Sequence, residues 1–309
     1  MRLIITGGLG HIGTGLLDNL SSLKSLKKIL IIDNLISNKI NPLFKFKSKI
    51  PINFIDDDII SLKLHKILKK NDIIIHLAAI TNATESFYIK NKIFRNNFNS
   101  TKRIVDQAAS KKIKCIFFSS TSVYGSNHKV MFEDDLNNLN PQSPYAKCKI
   151  KEEKYILNAF KNKNLKGTIL RLGTIFGTSK GMRFHTAVNK FCYQAAFKKP
   201  LTIWKTAYNQ KRPYLDLNDA VSCIKFVINK NLFQNKIYNV ATENISIKDL
   251  LKNIKKYNKI KIKLVSSKIM NQLSYEANCK KLEKEGFRFN GDLDKQIKKT
   301  LNLFNGVNS

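Results

Sequence analysis

Tyr145 and Lys149 stand four residues apart. On a helix that spacing sets both side chains on one face. A phenol with an ordinary pKa of about 10 is a poor base at neutral pH. An ammonium group one turn away stabilises the phenolate and lowers that value. A tyrosine primed in this way takes a proton from a hydroxyl as hydride leaves the carbon that bears it. Ser120 lies in the run Ser119-Ser120-Thr121-Ser122-Val123-Tyr124-Gly125, at the end of an apolar segment. There its hydroxyl can bridge a substrate oxygen and Tyr145, with Thr121 as the fallback and Tyr124 as a wall of the site. A Tyr–Lys pair at this spacing is also common on exposed helix faces, so the surrounding elements have to decide.

A hydride needs an acceptor, and the first 33 residues supply a place for one. An apolar segment, 3–6, runs into Gly7-Gly8-Leu9-Gly10-His11-Ile12-Gly13 and then into an apolar helical pattern. A tight glycine turn lets the backbone approach a pyrophosphate, which then sits at the helix N-terminus. Asp33 closes the next apolar segment, 20 residues past Gly13. A carboxylate there binds both ribose hydroxyls of NAD and repels the 2′-phosphate of NADP. No Arg follows it; Lys39 is the nearest cation and reads as solvated.

The elements that position these residues alternate. Strands are expected over 3–6, 29–32, 52–55, 73–77, 113–119 and 168–171, with helical stretches over 11–21, 60–69, 87–110 and 143–161. Apolar strands separated by helices predict parallel strands buried on both faces. The fold class is therefore α/β, a Rossmann-type doubly wound parallel sheet. Past residue 172 the rhythm changes to mixed elements: helices near 183–197, 218–229, 246–255 and 292–303, and short strands near 201–203 and 237–240. This predicts an NAD-binding domain over 1–172. Residues 173–309 form mainly a smaller mixed C-terminal substrate-binding lobe, with parts near 211–240 returning to the first domain. That lobe sits over the C-terminal edge of the sheet, where ligands of such folds bind.

Composition narrows the partners. The chain has 309 residues, 43% hydrophobic, enough for a substantial core and against disorder. The formal net charge is +33, but lysine carries nearly all of it. It is spread along the whole chain, so nucleic-acid binding is disfavoured against a solvated surface that attracts anionic substrates. Cys115, Cys148, Cys192, Cys223 and Cys279 form no CxxC pair, so neither a zinc site nor a disulfide framework is indicated. The five histidines show no ligand spacing, and no metal is expected. The longest near-apolar run, 73–80, is too short to span a bilayer, and no signal-peptide pattern opens the chain. A reduced, cytoplasmic setting is expected.

With these residues in place, the chain resembles the extended short-chain dehydrogenase/reductase family in its nucleotide-sugar epimerase/dehydratase branch. The G-x-x-G-x-x-G spacing is that family's. Asp57-Asp58-Ile59 resembles the element that holds adenine, His76-Leu77-Ala78-Ala79 the loop under the cofactor, and Asn97-Phe98-Asn99-Ser100-Thr101 the Asn element of the fourth helix. The serine-rich run and Tyr145-Ala146-Lys147-Cys148-Lys149 resemble the active-site segments; Arg212-Pro213-Tyr214-Leu215-Asp216 and Tyr238-Asn239-Val240 resemble substrate-lobe elements. Asp33-Asn34-Leu35 and Pro141-Gln142-Ser143-Pro144-Tyr145 are most like the UDP-glucose 4-epimerases.

The resemblance implies Ser120, Tyr145 and Lys149 as catalytic residues. It implies NAD held by Gly7, Gly10, His11, Ile12, Asp33, Asn34, Asp58, Ile59, Leu77, Ala78, Ala79, Asn97, Tyr145 and Lys149. It implies a nucleotide-diphosphate sugar held by Arg212, with Thr121, Thr174, Arg183 and Asn189 as further lining, and a homodimer through the fourth and fifth helices. Dehydratases of this branch carry an Asp–Glu pair after the catalytic hydroxyl; here Thr121 and Ser122 stand there, which disfavours elimination. What remains is transient oxidation at C4 to a 4-keto sugar with return of the hydride, a 4-epimerisation. If the ketone leaves, the enzyme is a 4-dehydrogenase or 4-ketoreductase. A non-catalytic dinucleotide sensor or nucleic-acid-associated protein on the same fold is the remote alternative. Thr174, Thr178 and Thr81 depart from the epimerase pattern at positions facing cofactor and sugar.

Overall fold

The computed structural model describes all residues except 21, 22, 24, 38, 45–47, 126–129, 267–273 and 308–309. Its centre is a seven-stranded sheet of β1 (Arg2–Thr6), β2 (Lys28–Asp33), β3 (Ile52–Asp56), β4 (Asp72–His76), β5 (Lys114–Ser120), β6 (Lys166–Leu172) and β7 (Lys236–Val240). The order is β7-β6-β5-β4-β1-β2-β3, and every pair is parallel. The strand order reverses between β1 and β4, the switch point at which a doubly wound sheet opens a crevice.

The isoleucine runs explain the two-faced burial. Successive side chains in a strand point to opposite faces. Leu3, Ile5, Ile29, Ile31, Ile73 and Ile75 therefore pack into one core, and Ile4, Leu30, Ile32 and Ile74 into the other. The helices α1 (His11–Leu17) and α5 (Leu217–Asn229) cover the first face. The second is covered by α2 (Asn99–Lys111) and α3 (Pro144–Asn162). Between α2 and α5 in the chain lies α4 (Ala187–Ala196). It joins Phe176, Leu201, Ile203, Tyr214 and Leu250 in a third core beyond the sheet. Strand Lys211–Asp216 belongs to a separate three-stranded sheet with Thr174–Phe176 and Glu243–Ser246, whereas β7 returns to the edge of the large one.

Two helical expectations fail locally. Over 60–69 the chain makes only the single turn Leu64–Ile67. Asp57 and Asp58 accept bonds from the Asp58 and Ile60 amides, and Asp57 also from the Ser61 hydroxyl. Such local turns compete with helix. Over 87–110 the helix is interrupted by a π-turn at Phe94–Phe98, which turns Asn97 into the interior. π-turns of this kind often mark functional positions.

A buried ionic network ties β6, β7 and α3 to the turn that follows β5. Arg171 on β6 is fully buried and donates to both Glu153 oxygens of α3 at 2.9 and 2.7 Å. It also donates to the Tyr124 hydroxyl at 2.9 Å, and Tyr124 donates to Asn239 of β7 at 2.7 Å. Removing one partner of such a pair strands the other charge away from water. Arg171→Leu is expected to cost roughly 3–5 kcal/mol of stability, read as an earlier urea midpoint with an unchanged slope.

Candidate functional site

A cleft of about 570 Å³ opens at the carboxyl ends of the central strands, with the third core as its far wall. Gly7, Gly10, His11, Ile12, Leu77, Ala79, Ser120, Tyr145, Lys149, Thr174, Arg183 and Arg212 all line it. The glycine turn crosses its floor. Gly7 has φ +66, and a Cβ there would lie 2.6 Å from the Ala78 backbone; a Cβ on Gly13 would lie 2.3 Å from the Gly8 oxygen. Only glycine permits this approach of the turn to the loop after β4.

Asp33 sits at the end of β2, where it accepts from the Leu9 amide at 3.0 Å and the Leu35 amide at 3.1 Å. Its neighbour Asn34 donates to Asp58 at 2.9 Å, so Asp33, Asn34 and Asp58 form one polar group beside the glycine turn. Ile59 is buried in the second core next to them. The side chain of Asn97 spends both ends on the Ile80 backbone, at 2.8 and 2.9 Å. It braces the loop 77–81 and does not itself line the cleft.

At the cleft's centre Tyr145 and Lys149 share a face of α3, with Lys149 Nζ 5.9 Å from the Tyr145 ring centre. Burial pushes the Tyr145 hydroxyl up from its ordinary value; Lys149 pulls it down, Glu152 pushes it up and Arg183 pulls it down. The lowering that the Tyr–Lys spacing predicts is thus present as an opposing force but is outweighed by desolvation. Lys149 stays strongly cationic: burial works against its charge, but Glu152 and Tyr145 more than offset it. Ser120 Oγ accepts from the Ser122 amide at 3.2 Å and the Ser122 hydroxyl at 2.9 Å, which leaves its own proton to point elsewhere.

Three side chains sit elsewhere than the sequence suggests. Thr121 is buried with its hydroxyl 3.4 Å from Tyr275, behind the wall, because the 3-10 turn Thr121–Val123 carries it inward. Asn189 is fully buried on α4, where it accepts from the Gly177 amide and donates to the Arg183 carbonyl, so it braces Arg183 from behind. Lys39 is half-buried and engaged rather than free in solvent: its ammonium donates to the carbonyls of Gly181 and Met182, both at 2.9 Å. Arg183, held in this way, faces the glycine turn and donates to the Thr81 hydroxyl. Arg212 stacks on Tyr275 with its guanidinium 4.9 Å from the ring centre.

Residues given no role of their own in the sequence complete the site. Ser119 and Thr186 line the cleft with buried hydroxyls that have no hydrogen-bond partner in the structure. His76 bonds Thr6 at 2.7 Å and Thr101 at 3.1 Å. The Lys149–Glu152 spacing was visible on one helix, whereas the His76–Thr101 contact joins separate elements and has no local signal.

A family described as NAD dependent epimerase/dehydratase matches residues 3–241. The chain belongs to that family. It is 31% identical to a dTDP-D-glucose 4,6-dehydratase of Dictyostelium discoideum, over 82% of this chain and 61% of that protein. It is 27% identical to a UDP-arabinose 4-epimerase of Arabidopsis thaliana, over 85% of this chain and 68% of that one. The chain thus spans less than two thirds of the dehydratase. Among solved structures, a UDP-N-acetylglucosamine 4-epimerase from Methanobrevibacter ruminantium matches with a TM-score of 0.86 at 26% identity, covering 98% of this chain and 97% of that one. The family's cofactor is NAD, and the cleft fits it. A turn closed to any side chain at Gly7 and unpaired hydroxyls in the wall are what a dinucleotide needs, and beside that turn, outside the cleft lining itself, a carboxylate is fixed at the end of β2. Among the described residues no helix is long and apolar enough to cross a membrane.

The buried histidines give the site a pH limit. Burial lowers His11 to about 4 and His76 to about 3, from 6.5. Their stabilising effect is complete above pH 6.5 and is lost as pH falls toward the folded values, because the unfolded chain binds protons that the folded one refuses. Each histidine is expected to contribute a slope of up to ~1.4 kcal/mol per pH unit in that window. Thermal melts between about pH 7.5 and 4.5 should show a falling Tm, and a shallower fall in His76→Asn. An equal slope in both proteins would contradict a neutral, buried His76.

Proposed function

We propose that the chain is an NAD-dependent oxidoreductase of nucleotide-diphosphate sugars, and that its reaction is 4-epimerisation. One observation carries this reading. Among the described residues no Asp or Glu lines the cleft, while Lys149, Lys190, Arg183 and Arg212 do. Elimination of water across C5 and C6 needs a carboxylate acid–base pair beside the sugar. Thr121 and Ser122 follow Ser120, and Thr121 is turned away. The likeness to a 4,6-dehydratase therefore does not extend to the groups that dehydration needs, whereas a Tyr–Lys pair and a hydroxyl suffice for oxidation and reduction at one carbon.

In this reading Gly7, Gly10, His11 and Ile12 hold the pyrophosphate of NAD, and Asp33 and Asn34 hold a ribose. Asp58 and Ile59 flank adenine, and Leu77, Ala78 and Ala79 lie beneath, on the loop that Asn97 braces. Bound there, NAD would supply the acceptor for the sugar carbon's hydride and the source of its return. Tyr145 receives the C4 hydroxyl proton and later returns it. Ser120 donates its free proton to the same oxygen and keeps it aligned. Lys149 keeps the phenolate accessible, and Arg212 forks onto the diphosphate, a fit that lysine cannot match. Arg183 and Thr174 bound the sugar. On α2, α3 and the π-turn, Val105, Ile156 and Phe160 are consumed by the core and Ala109 and Leu157 pack against it, which leaves Phe94 and Phe98 half-buried for a second copy of the chain.

A panel of UDP-, dTDP- and GDP-sugars, followed by NMR of the products, tests the reading. The expected product is the 4-epimer, with no net reduced cofactor. Tyr145→Phe is expected to lower kcat by about 10²–10⁴-fold with little change in binding. A 6-deoxy-4-keto product, or undiminished turnover by the Phe variant, would overturn it.

A further inference from the structure

The helical turn that carries Lys149 also carries Glu152, and the two are buried together, 5% and 4% exposed. Lys149 Nζ lies 2.8 Å from Glu152 Oε2. Thr101 donates its hydroxyl to the same oxygen at 3.2 Å, and Cys148 donates to the other at 3.4 Å. Since the Thr101 proton goes to the carboxylate, the His76 Nε2–H donates to Thr101, and His76 Nδ1 accepts from Thr6. The Ala78 amide donates to Thr6 at 3.3 Å and completes the chain. Four elements thus hold one carboxylate against the lysine that the proposed reaction uses.

We propose that Glu152 is a positioning residue of the Tyr145–Lys149 pair: it keeps the ammonium proton on Lys149, so that the proton the pair gives up comes from the phenol. This rests on the reading of Tyr145 as the acid–base group. The argument is one of charge. An ammonium buried this deeply and left without a counter-ion tends to lose its proton, and a neutral amine does nothing for a phenolate. With Glu152 ionised, the three groups pass from net zero to −1 on losing a proton, and the carboxylate dictates that it leaves Tyr145. With glutamine there, the pair passes from +1 to zero. That loss is easier, but it yields two forms, ammonium with phenolate or amine with phenol, and only the first is active.

The other groups facing the pair do not titrate in the working range. His76 is lowered to about 3 and Cys148 is raised to about 12. Arg183, which also faces Tyr145, remains a cation throughout.

The test compares wild type, Glu152→Gln and Glu152→Asp, each full-length and saturated with NAD. Tyrosine is labelled with ¹³C at Cζ, and the resonance is assigned with Tyr145→Phe. In Glu152→Gln the rise of kcat/KM with pH is expected to move down by about one unit or more, and its plateau to fall about tenfold. The Tyr145 resonance should cover only part of the full phenol-to-phenolate shift. Glu152→Asp, which keeps the charge, should restore the wild-type midpoint. Glu152→Met makes the same charge change in an apolar shape, and stands in if the glutamine variant folds poorly. A wild-type midpoint with the full shift in a folded, charge-removed variant would overturn the proposal. The resonance is read without turnover, so a wild type inactive on every sugar would sink the functional reading and leave this one still decided by NMR.

Discussion

A phenol and an ammonium group buried side by side lose the water that would otherwise stabilise a charge on either. Tyr145 and Lys149 are placed in this way at the carboxyl edge of the sheet, and the rest of the site answers to that constraint. Desolvation favours a neutral pair, and in a neutral pair the phenol is no base and the amine no longer stabilises a phenolate. The cleft meets this with fixed charges and dipoles: Glu152 at the ammonium, Arg183 facing the phenol, and the Ser120–Ser122 hydroxyl pair at the reacting edge. Such preorganised groups cost no rearrangement when charge moves, and so they act where mobile water would be slow to respond.

A second buried ionic group plays a separate part. Arg171, Glu153, Tyr124 and Asn239 satisfy one another below the cleft, with Glu133 accepting the Asn239 amide at 2.8 Å. It ties β6, β7 and the turn after β5 to α3, the helix that carries Tyr145 and Lys149. Glu152 and Glu153 are adjacent in sequence, yet one meets Lys149 and the other Arg171, because consecutive helical residues point about 100° apart.

Much of the architecture was legible because its signals are local. Unbroken isoleucine runs mark strands buried on both faces, and their alternation assigns each side chain to a core. The glycine turn, Asp33 and the Tyr145–Lys149 spacing were legible for the same reason. The exceptions had competing local bonds or distant partners. Asp57 and Asp58 fold the chain before and into 60–69 into side-chain turns, and only the single turn Leu64–Ile67 follows. The π-turn at Phe94–Phe98 shifts the register that a regular period assumes. Thr121 and Lys39 find partners remote in sequence, Tyr275 and the carbonyls of Gly181 and Met182, and Asn189 turns back onto Gly177 and Arg183 of the segment before its helix. The His76–Thr101–Glu152 chain joins three elements and has no period at all.

The bonds of Lys39 have a mechanical consequence. One ammonium group, rooted just past Asp33, grips two successive carbonyls immediately before Arg183. The edge of the dinucleotide crevice and the wall that bears Arg183 are thereby stitched together, alongside the bonds of Thr14 to Ser179 and Gly181. Neither can swing outward without dragging the other or giving up those bonds to solvent, so the two segments move as one body.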